Sequence, residues 1–351
     1  MPLVAHTPLP AFEKLRQRGE KVLTLKEALH QDIRELHVGL LNMMPDAALI
    51  ATEIQFMRLV GSSNQIAQFF VHPFSVEGLP HSEESQDYID RYYKSFDEIK
   101  AMGLDALIIT GANVSNPSLD QEPFWKPLKE VIEWAQQNVT SVLCSCLATH
   151  ALVKLLYHID RQPMAGKLWG VYPHRIIHQE HPLLRDINTR FDVPHSRFNA
   201  IYREPLERAG LTILIESEVA GVHMAVSPDQ YSIVYFQGHP EYDINSLLKE
   251  YKREVCRFID GERDDYPPAP QNYFCEDASV IAQRHKNGVL KALERGERPP
   301  EFPEAHIETL LDNTWRDTAK AIVNNWLGLV YEKTNFQRPR QQNQTRLTEA
   351  D

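Results

Sequence analysis

The sequence predicts an α/β domain with a doubly wound, mostly parallel sheet, preceded by an N-terminal arm over residues 1–34 and followed by a C-terminal helical extension. Three observations predict it. Short apolar or β-branched runs alternate with amphipathic stretches at βα spacing from Leu36 to Tyr157. The run Leu104–Thr110 goes straight into Gly111-Ala112-Asn113, and such residues after a strand suit the tight βα turns that line ligand crevices in open sheets. Val139–His150, V-T-S-V-L-C-S-C-L-A-T-H, passes from β-branched to helical spacing, so Cys146 falls at a strand-to-helix turn.

In chain order, Met1–Pro10 is Pro-containing, and Ala11–Arg18 and Thr24–His30 are short helical patterns. Leu36–Leu41 is the first core strand, closed by Asn42-Met43-Met44-Pro45. A helix over Leu49–Val60 follows, in which Thr52, Glu53, Gln55 and Arg58 form a polar set expected to face solvent. Ala67–Phe74 is a second strand, and Glu83–Met102 is a polar, Tyr-rich helical region. Phe124–Gln137 has the pattern of an amphipathic helix, Thr140–Cys144 of a strand, and Leu147–Tyr157 of the helix behind the turn. Lys167–Tyr172 and Pro194–Phe198 are short, polar and irregular, the pattern of loops that carry function on a rigid scaffold. Leu211–Glu216, Gly221–Val226 and Tyr231–Phe236 read as strands, the last running into Gln237-Gly238-His239-Pro240-Glu241-Tyr242-Asp243. Ile244–Asp260 is a helix with Lys249, Lys252 and Arg253 on its polar face. This α/β span, 35–262, gives way at the acidic, Pro-rich Asp264–Pro270 to a helical extension over 263–336, and the polar tail 337–351 is expected to be disordered.

Composition narrows the function. With 37 Lys and Arg against 48 Asp and Glu the net charge is −11, which argues against general nucleic-acid or anionic-membrane binding, so an anionic ligand needs a local basic pocket. Four cysteines without a C-x-x-C pair make neither a disulfide framework nor a zinc site, and no metal is expected. Met1–Glu20 lacks an apolar signal-like core and no run approaches the ~18 apolar residues of a membrane span, so a soluble cytoplasmic protein is expected.

A thiol at a strand-to-helix turn is lifted above the sheet edge, where N–H groups at the helix start can hold a developing oxyanion and favour the thiolate. Alone, Cys144 and Cys146 read more readily as two small buried thiols, since free Cys is among the most buried residue types. His239 and Glu241 supply the missing partner. Two residues apart in an extended stretch stiffened by Pro240, they lean to the same side, so Glu241 can orient the imidazole while His239 faces a nucleophile on a neighbouring strand. His239 would then take the thiol proton, and Glu241 would fix its tautomer and stabilise the imidazolium. Cys144, two residues earlier, packs beneath the turn.

A set of ordered motifs carries a resemblance. They are L-L-N-M-M-P (Leu40–Pro45), T-E-x-Q-F-x-R-L (Thr52–Leu59), I-T-G-A (Ile109–Ala112), C-x-A (Cys146–Ala148), K-L-x-G-V-Y (Lys167–Tyr172), P-H-S-R (Pro194–Arg197), G-H-P-E-Y-D (Gly238–Asp243) and N-W-L (Asn325–Leu327). In this the chain resembles the bacterial homoserine O-acyltransferases, the homoserine O-succinyltransferase or transsuccinylase family, whose fold is flavodoxin-like and similar to the class I glutamine amidotransferases. The resemblance implies an acyl group passing from acyl-CoA to Cys146 and then to the γ-hydroxyl of homoserine, in methionine biosynthesis. It implies His239 as base in both half-reactions with Glu241 supporting it. Lys167, Ser196 and Arg253 would be the amino-acid contacts, and the backbone N–H of Leu147, with those of Met43 or Met44, the oxyanion donors. No cofactor is expected beyond acyl-CoA as co-substrate, and a homodimer is the expected assembly.

Three departures bear on these expectations. Where the family carries a Lys pair after its M-P dipeptide, this chain has Asp46-Ala47-Ala48, so no role of those lysines carries over. Ser115 stands where a glutamate goes with acetyl-CoA use and a glycine with succinyl-CoA use. Small and uncharged, it favours succinyl-CoA and leaves acetyl-CoA as the alternative donor. Residues 275–306 look like an insertion, an oligomer contact or a lid. L-serine in place of L-homoserine is the alternative acceptor, and a glutamine amidotransferase-like hydrolase is the rival from another class.

Overall fold

In the computed structural model of the chain, residues 3–31, 33–62 and 67–334 are described; the tail 337–351 lies outside them. At the N-terminus, β1 (Val4–Ala5) pairs in parallel with β2 (Leu23–Thr24), around α1 (Pro10–Gln17) and α2 (Leu25–Leu29). The main body then runs β3 (Glu35–Met43), α3 (Asp46–Gly61), β4 (Gln68–Phe74), α4 (Glu83–Tyr92), α5 (Phe96–Met102), β5 (Ala106–Ala112), α6 (Trp125–Asn138), β6 (Ser141–Ser145) and α7 (Leu147–Tyr157). It continues with β7 (Gln162–Ile176), β8 (Arg190–Ala200), α8 (Arg203–Arg208), β9 (Thr212–Ser217), β10 (Gly221–Val226), β11 (Ile233–Phe236) and α9 (Ser246–Ile259). Helices α10 (Glu276–Glu294), α11 (Glu304–Glu308) and α12 (Arg316–Thr334) complete it.

Nine strands form one sheet in the order β4-β3-β5-β6-β11-β10-β9-β7-β8. From β4 to β11 every pairing is parallel, and from β11 outward every pairing is antiparallel. The parallel strands read as unbroken apolar runs because both faces are covered. Ala106, Ile108, Leu143, Val234 and Phe236 enter one apolar cluster with α1, α3 and α12, whereas Leu107, Ile109, Val142, Cys144, Ile233 and Tyr235 enter the other with α6 and α7. The C-terminal helix is therefore built into the core. Trp326 is fully buried, and its indole N–H donates to Ser141 Oγ at 2.8 Å. A third cluster joins Trp169 and Val171 of β7 to Leu247, Leu248 and Tyr251 of α9 and to Ala278 and Ala282 of α10.

Several elements differ from the sequence expectation. Lys167–Tyr172 and Pro194–Phe198, expected as loops, lie inside β7 and β8, paired antiparallel with Trp169 opposite Ser196. Their buried alternation is carried partly by His174, His195 and Arg197, so hydrophobicity alone hides the period. Glu83–Met102 breaks into two helices because Ser95 starts a capping box with Glu98. The polar set of α3 does not face solvent: Thr52, Glu53, Gln55 and Arg58 are all buried. Glu53 accepts from Tyr88 Oη at 3.0 Å, and burial pushes its carboxyl up to about 7.

Candidate active site

Cys146 occupies the turn between β6 and α7 with φ 52° and ψ −109°, a left-handed backbone that costs a side-chain-bearing residue about 1–3 kcal/mol. Tertiary bonds hold it there. Its N–H donates to Phe236 O at 2.8 Å, and Thr149 Oγ1 donates to the same carbonyl at 2.7 Å. Since β6 and β11 pair in parallel with Ser145 opposite Phe236, the turn sits beside the start of the H-P-E segment. On its other flank, the Cβ position at Gly111 lies 3.7 Å from Cys146 Cβ. Cys146 is partly exposed, whereas Cys144 is fully buried, and burial pushes the Cys144 thiol up.

His239 is fixed from three sides. Its backbone N–H donates to Pro194 O at 2.8 Å, its Nδ1–H donates to Glu241 Oε1 at 2.8 Å, and Tyr242 stacks on its ring with centroids 4.2 Å apart. The buried Nε2 has no hydrogen-bond partner of normal geometry and faces the Cys146 sulfur. Burial disfavours the imidazolium, but the Cys146 sulfur and the Glu241 carboxylate outweigh it and hold the His239 pKa well above its usual value. The imidazolium form of His239 is thereby favoured.

The buried polar residues of α3 anchor this segment. Arg58 donates to Glu241 O at 3.2 Å and pairs with Asp243, and Gln55 Nε2 donates to Ser246 Oγ at 2.9 Å. Ser145 Oγ donates to Glu241 Oε1 at 3.3 Å. Glu241 is thus held by its backbone and by its carboxylate.

Beside the triad lies a second polar cluster, built on Glu250 of α9. Its carboxylate accepts from Ser196 Oγ at 2.6 Å, Lys167 Nζ at 3.2 Å and Tyr242 Oη at 2.7 Å. Burial raises its pKa, but Lys167, Ser196 and Tyr242 outweigh this and hold it below the usual carboxylate value. Lys167 and Ser196, two of the amino-acid contacts that the resemblance implies, meet on this carboxylate. Arg253, one helical turn beyond Glu250, is half exposed and among the described residues pairs with Glu254, at 3.9 Å, and is not joined to the cluster. Glu250 and Tyr242 were missed by the sequence reasoning. The available signals were the position of Glu250 three residues before Arg253 and of Tyr242 directly after Glu241.

The oxyanion candidates separate. Met43 N–H donates to Thr110 Oγ1 at 2.9 Å and Met44 N–H to Asn42 Oδ1 at 3.2 Å, so both are engaged within the protein. Leu147 N–H, first in α7, has no intrahelical acceptor and lies next to the sulfur-bearing residue. The exposed Ser115 donates its N–H to Glu122 Oε1 at 2.8 Å, as Asn116 does at 2.6 Å. Asp46, in place of the family's lysine, is bound by His81 Nδ1 and Ser82 N–H, each at 2.9 Å.

Fold and site together describe an α/β protein with a cysteine, histidine and glutamate gathered at the C-terminal ends of parallel strands, an arrangement able to carry an acyl group as a thioester. The family model for homoserine O-succinyltransferase matches residues 2–336. A homoserine O-succinyltransferase of Methylococcus capsulatus is 58% identical over 338 residues, 96% of this chain and 95% of that protein. One of Methylobacter tundripaludum is 59% identical, covering 96% of each. The chain belongs to the homoserine O-succinyltransferase family. Among solved structures, a glutamine amidotransferase from Methylobacillus flagellatus aligns at TM-score 0.48 and 15% identity, covering 85% of this chain and 95% of that one.

Proposed function

We propose that this protein transfers the succinyl group of succinyl-CoA to the γ-hydroxyl of L-homoserine, in methionine biosynthesis, through a thioester on Cys146. The Cys146 thiolate attacks the donor's thioester carbonyl, the oxyanion is met by Leu147 N–H, and the CoA thiolate leaves with the proton held by His239. His239 then takes the homoserine hydroxyl proton. The alkoxide attacks the acyl-enzyme, and the Cys146 thiolate is expelled. Glu241 keeps His239 in the Nδ1–H tautomer with Nε2 toward the sulfur. Lys167, Ser196 and Arg253 are assigned to the amino-acid acceptor, with Glu250 beside them as a carboxylate for its ammonium group. The work is assigned to the cytoplasm and to a homodimer. Among the described residues no helix is long and apolar enough to cross a membrane.

The observation that carries this reading is the His239 imidazole, held at 2.8 Å from Glu241 with its other nitrogen toward Cys146, in a chain of this family. Intact-protein mass spectrometry after exposure to succinyl-CoA without homoserine tests it. One succinyl group is expected on the wild type and none on Cys146→Ala; an adduct persisting on the variant with activity retained sinks the assignment. Steady-state rates with succinyl-CoA and acetyl-CoA, each against homoserine and serine, test the substrates.

A further inference from the structure

Arg161 stands out among the arginines of the molecule. Arg58, Arg203, Arg257 and Arg263 each pair with a carboxylate, whereas Arg161 forms no ion pair among the described residues although it is only partly exposed. Its Nη2 donates to Asn116 O at 3.3 Å and to Pro117 O at 3.5 Å, both long, and its Nε is buried with no partner. A cation taken from water without a partner is costly, and the Nε–Nη2 edge is the side on which a guanidinium grips a carboxylate bidentately.

The loop that Arg161 bonds runs from the strand end beside Cys146. The loop Asn113–Gln121 follows β5, whose Gly111 abuts Cys146, and the loop is fixed by Glu122 through the N–H groups of Ser115 and Asn116. Lys154 of α7 ties the same loop to the helix through Ser118 Oγ at 2.7 Å, but it is already paired with Asp120 at 3.4 Å and Asp160 at 2.7 Å. Burial lowers the Arg161 pKa, and Glu122 and the Cys146 sulfur act in the opposite direction, so the guanidinium lies within electrostatic range of the sulfur. Arg197, the other arginine in that range, is satisfied by His195, Asn199 O and Ala220 O.

Resting on the function proposed above, we infer that Arg161 receives the distal carboxylate of the succinyl group carried on Cys146 and so selects a dicarboxylic over an uncharged acyl donor. Butyryl-CoA, with a methyl group where succinyl-CoA has that carboxylate, is the probe. The ratio of kcat/KM for succinyl-CoA to that for butyryl-CoA should fall about 100-fold in Arg161→Gln and less in Arg161→Lys, which keeps the charge but loses the fork. The KM for homoserine should move little. An equal fall with both donors would make Arg161 a general electrostatic or structural support, and a selective rise in the homoserine KM would assign it to the acceptor; either overturns the inference. Thermal melting of the variants identifies a folding defect, and where Arg161→Gln is unfolded the Arg161→Lys ratio decides. A wild type indifferent to the distal carboxylate removes the donor reading itself. A selective wild type with an unchanged ratio in the folded variant removes only the role of Arg161.

Discussion

One buried histidine just beyond β11 and a group of three within β7, β8 and β10 are driven in opposite directions. His239 is flanked by a sulfur and a carboxylate, and its pKa is held well above the usual value. Behind it, His174, His195 and His223 are buried with no carboxylate partner among the described residues. Arg197 Nε–H donates to His195 Nδ1 at 3.3 Å, His195 Nε2–H donates to His174 Nε2 at 3.2 Å, and His174 Nδ1–H donates to Tyr172 O at 2.8 Å. Gly238 N–H donates to His223 Nδ1 at 3.2 Å. Burial, with the nearby cationic Arg197, keeps these rings neutral: His174 is lowered to about 4, and His195 and His223 lie well below the usual imidazole value. Burial beside neutral and cationic groups thus keeps a histidine neutral, whereas anionic neighbours hold a proton on one. Gly238 lets the groups approach, since a Cβ there would lie 2.9 Å from the His195 ring and 2.7 Å from Val193 Cγ1.

Replacing His239 by alanine should break the contrast most severely, with a fall of about 10⁴-fold in kcat/KM in steady-state assays with both substrates. The next effect is on stability at acid pH. The unfolded chain binds protons near pH 6.5 that His150, His174, His195 and His223 refuse in the fold, so their contribution is complete above that pH. It declines as pH falls below it, by on the order of 1.4 kcal/mol per group per pH unit. His239 has the opposite sign: its contribution is present below the unfolded pKa and lost as pH rises through its raised folded pKa. Melting curves from pH 7 to pH 4 should show a steep loss. Glu241→Gln should cost about 100-fold in kcat and, in an NMR titration of labelled histidine, move His239 toward its ordinary value while His195 stays neutral. The smallest effect is expected for Gly238→Ala, a destabilisation of about 1–3 kcal/mol read by denaturant unfolding, with activity reduced about tenfold as His239 shifts.

Much of this was legible in the chain. The strand-to-helix change at Cys146 and the H-P-E spacing came from residue type and order, because each is a local pattern or a short motif, whereas Lys167 and Ser196 came only from the family resemblance. The β7–β8 pair escaped because His174, His195 and Arg197 fill positions where a strand usually shows apolar residues, and only long-range bonds reveal that they are buried. The polar residues of α3 were misplaced for the same reason. Arg58 and Gln55 look like a wet face until the H-P-E segment, some two hundred residues away, is seen to cover them.

The sequence by itself determined the alternation of elements, the strand-to-helix turn at Cys146 and the H-P-E spacing of His239 and Glu241, since dihedral preferences and side-chain chemistry act over a few residues. Only the tertiary structure decided which polar groups are free. Met43 and Met44 spend their N–H groups on Thr110 and Asn42, Glu250 gathers Lys167, Ser196 and Tyr242, and Arg161 is left without an anion. Hydrogen-bond satisfaction and desolvation depend on what packs against a residue from distant parts of the chain, and that is fixed only when the sheet and its helices close around it.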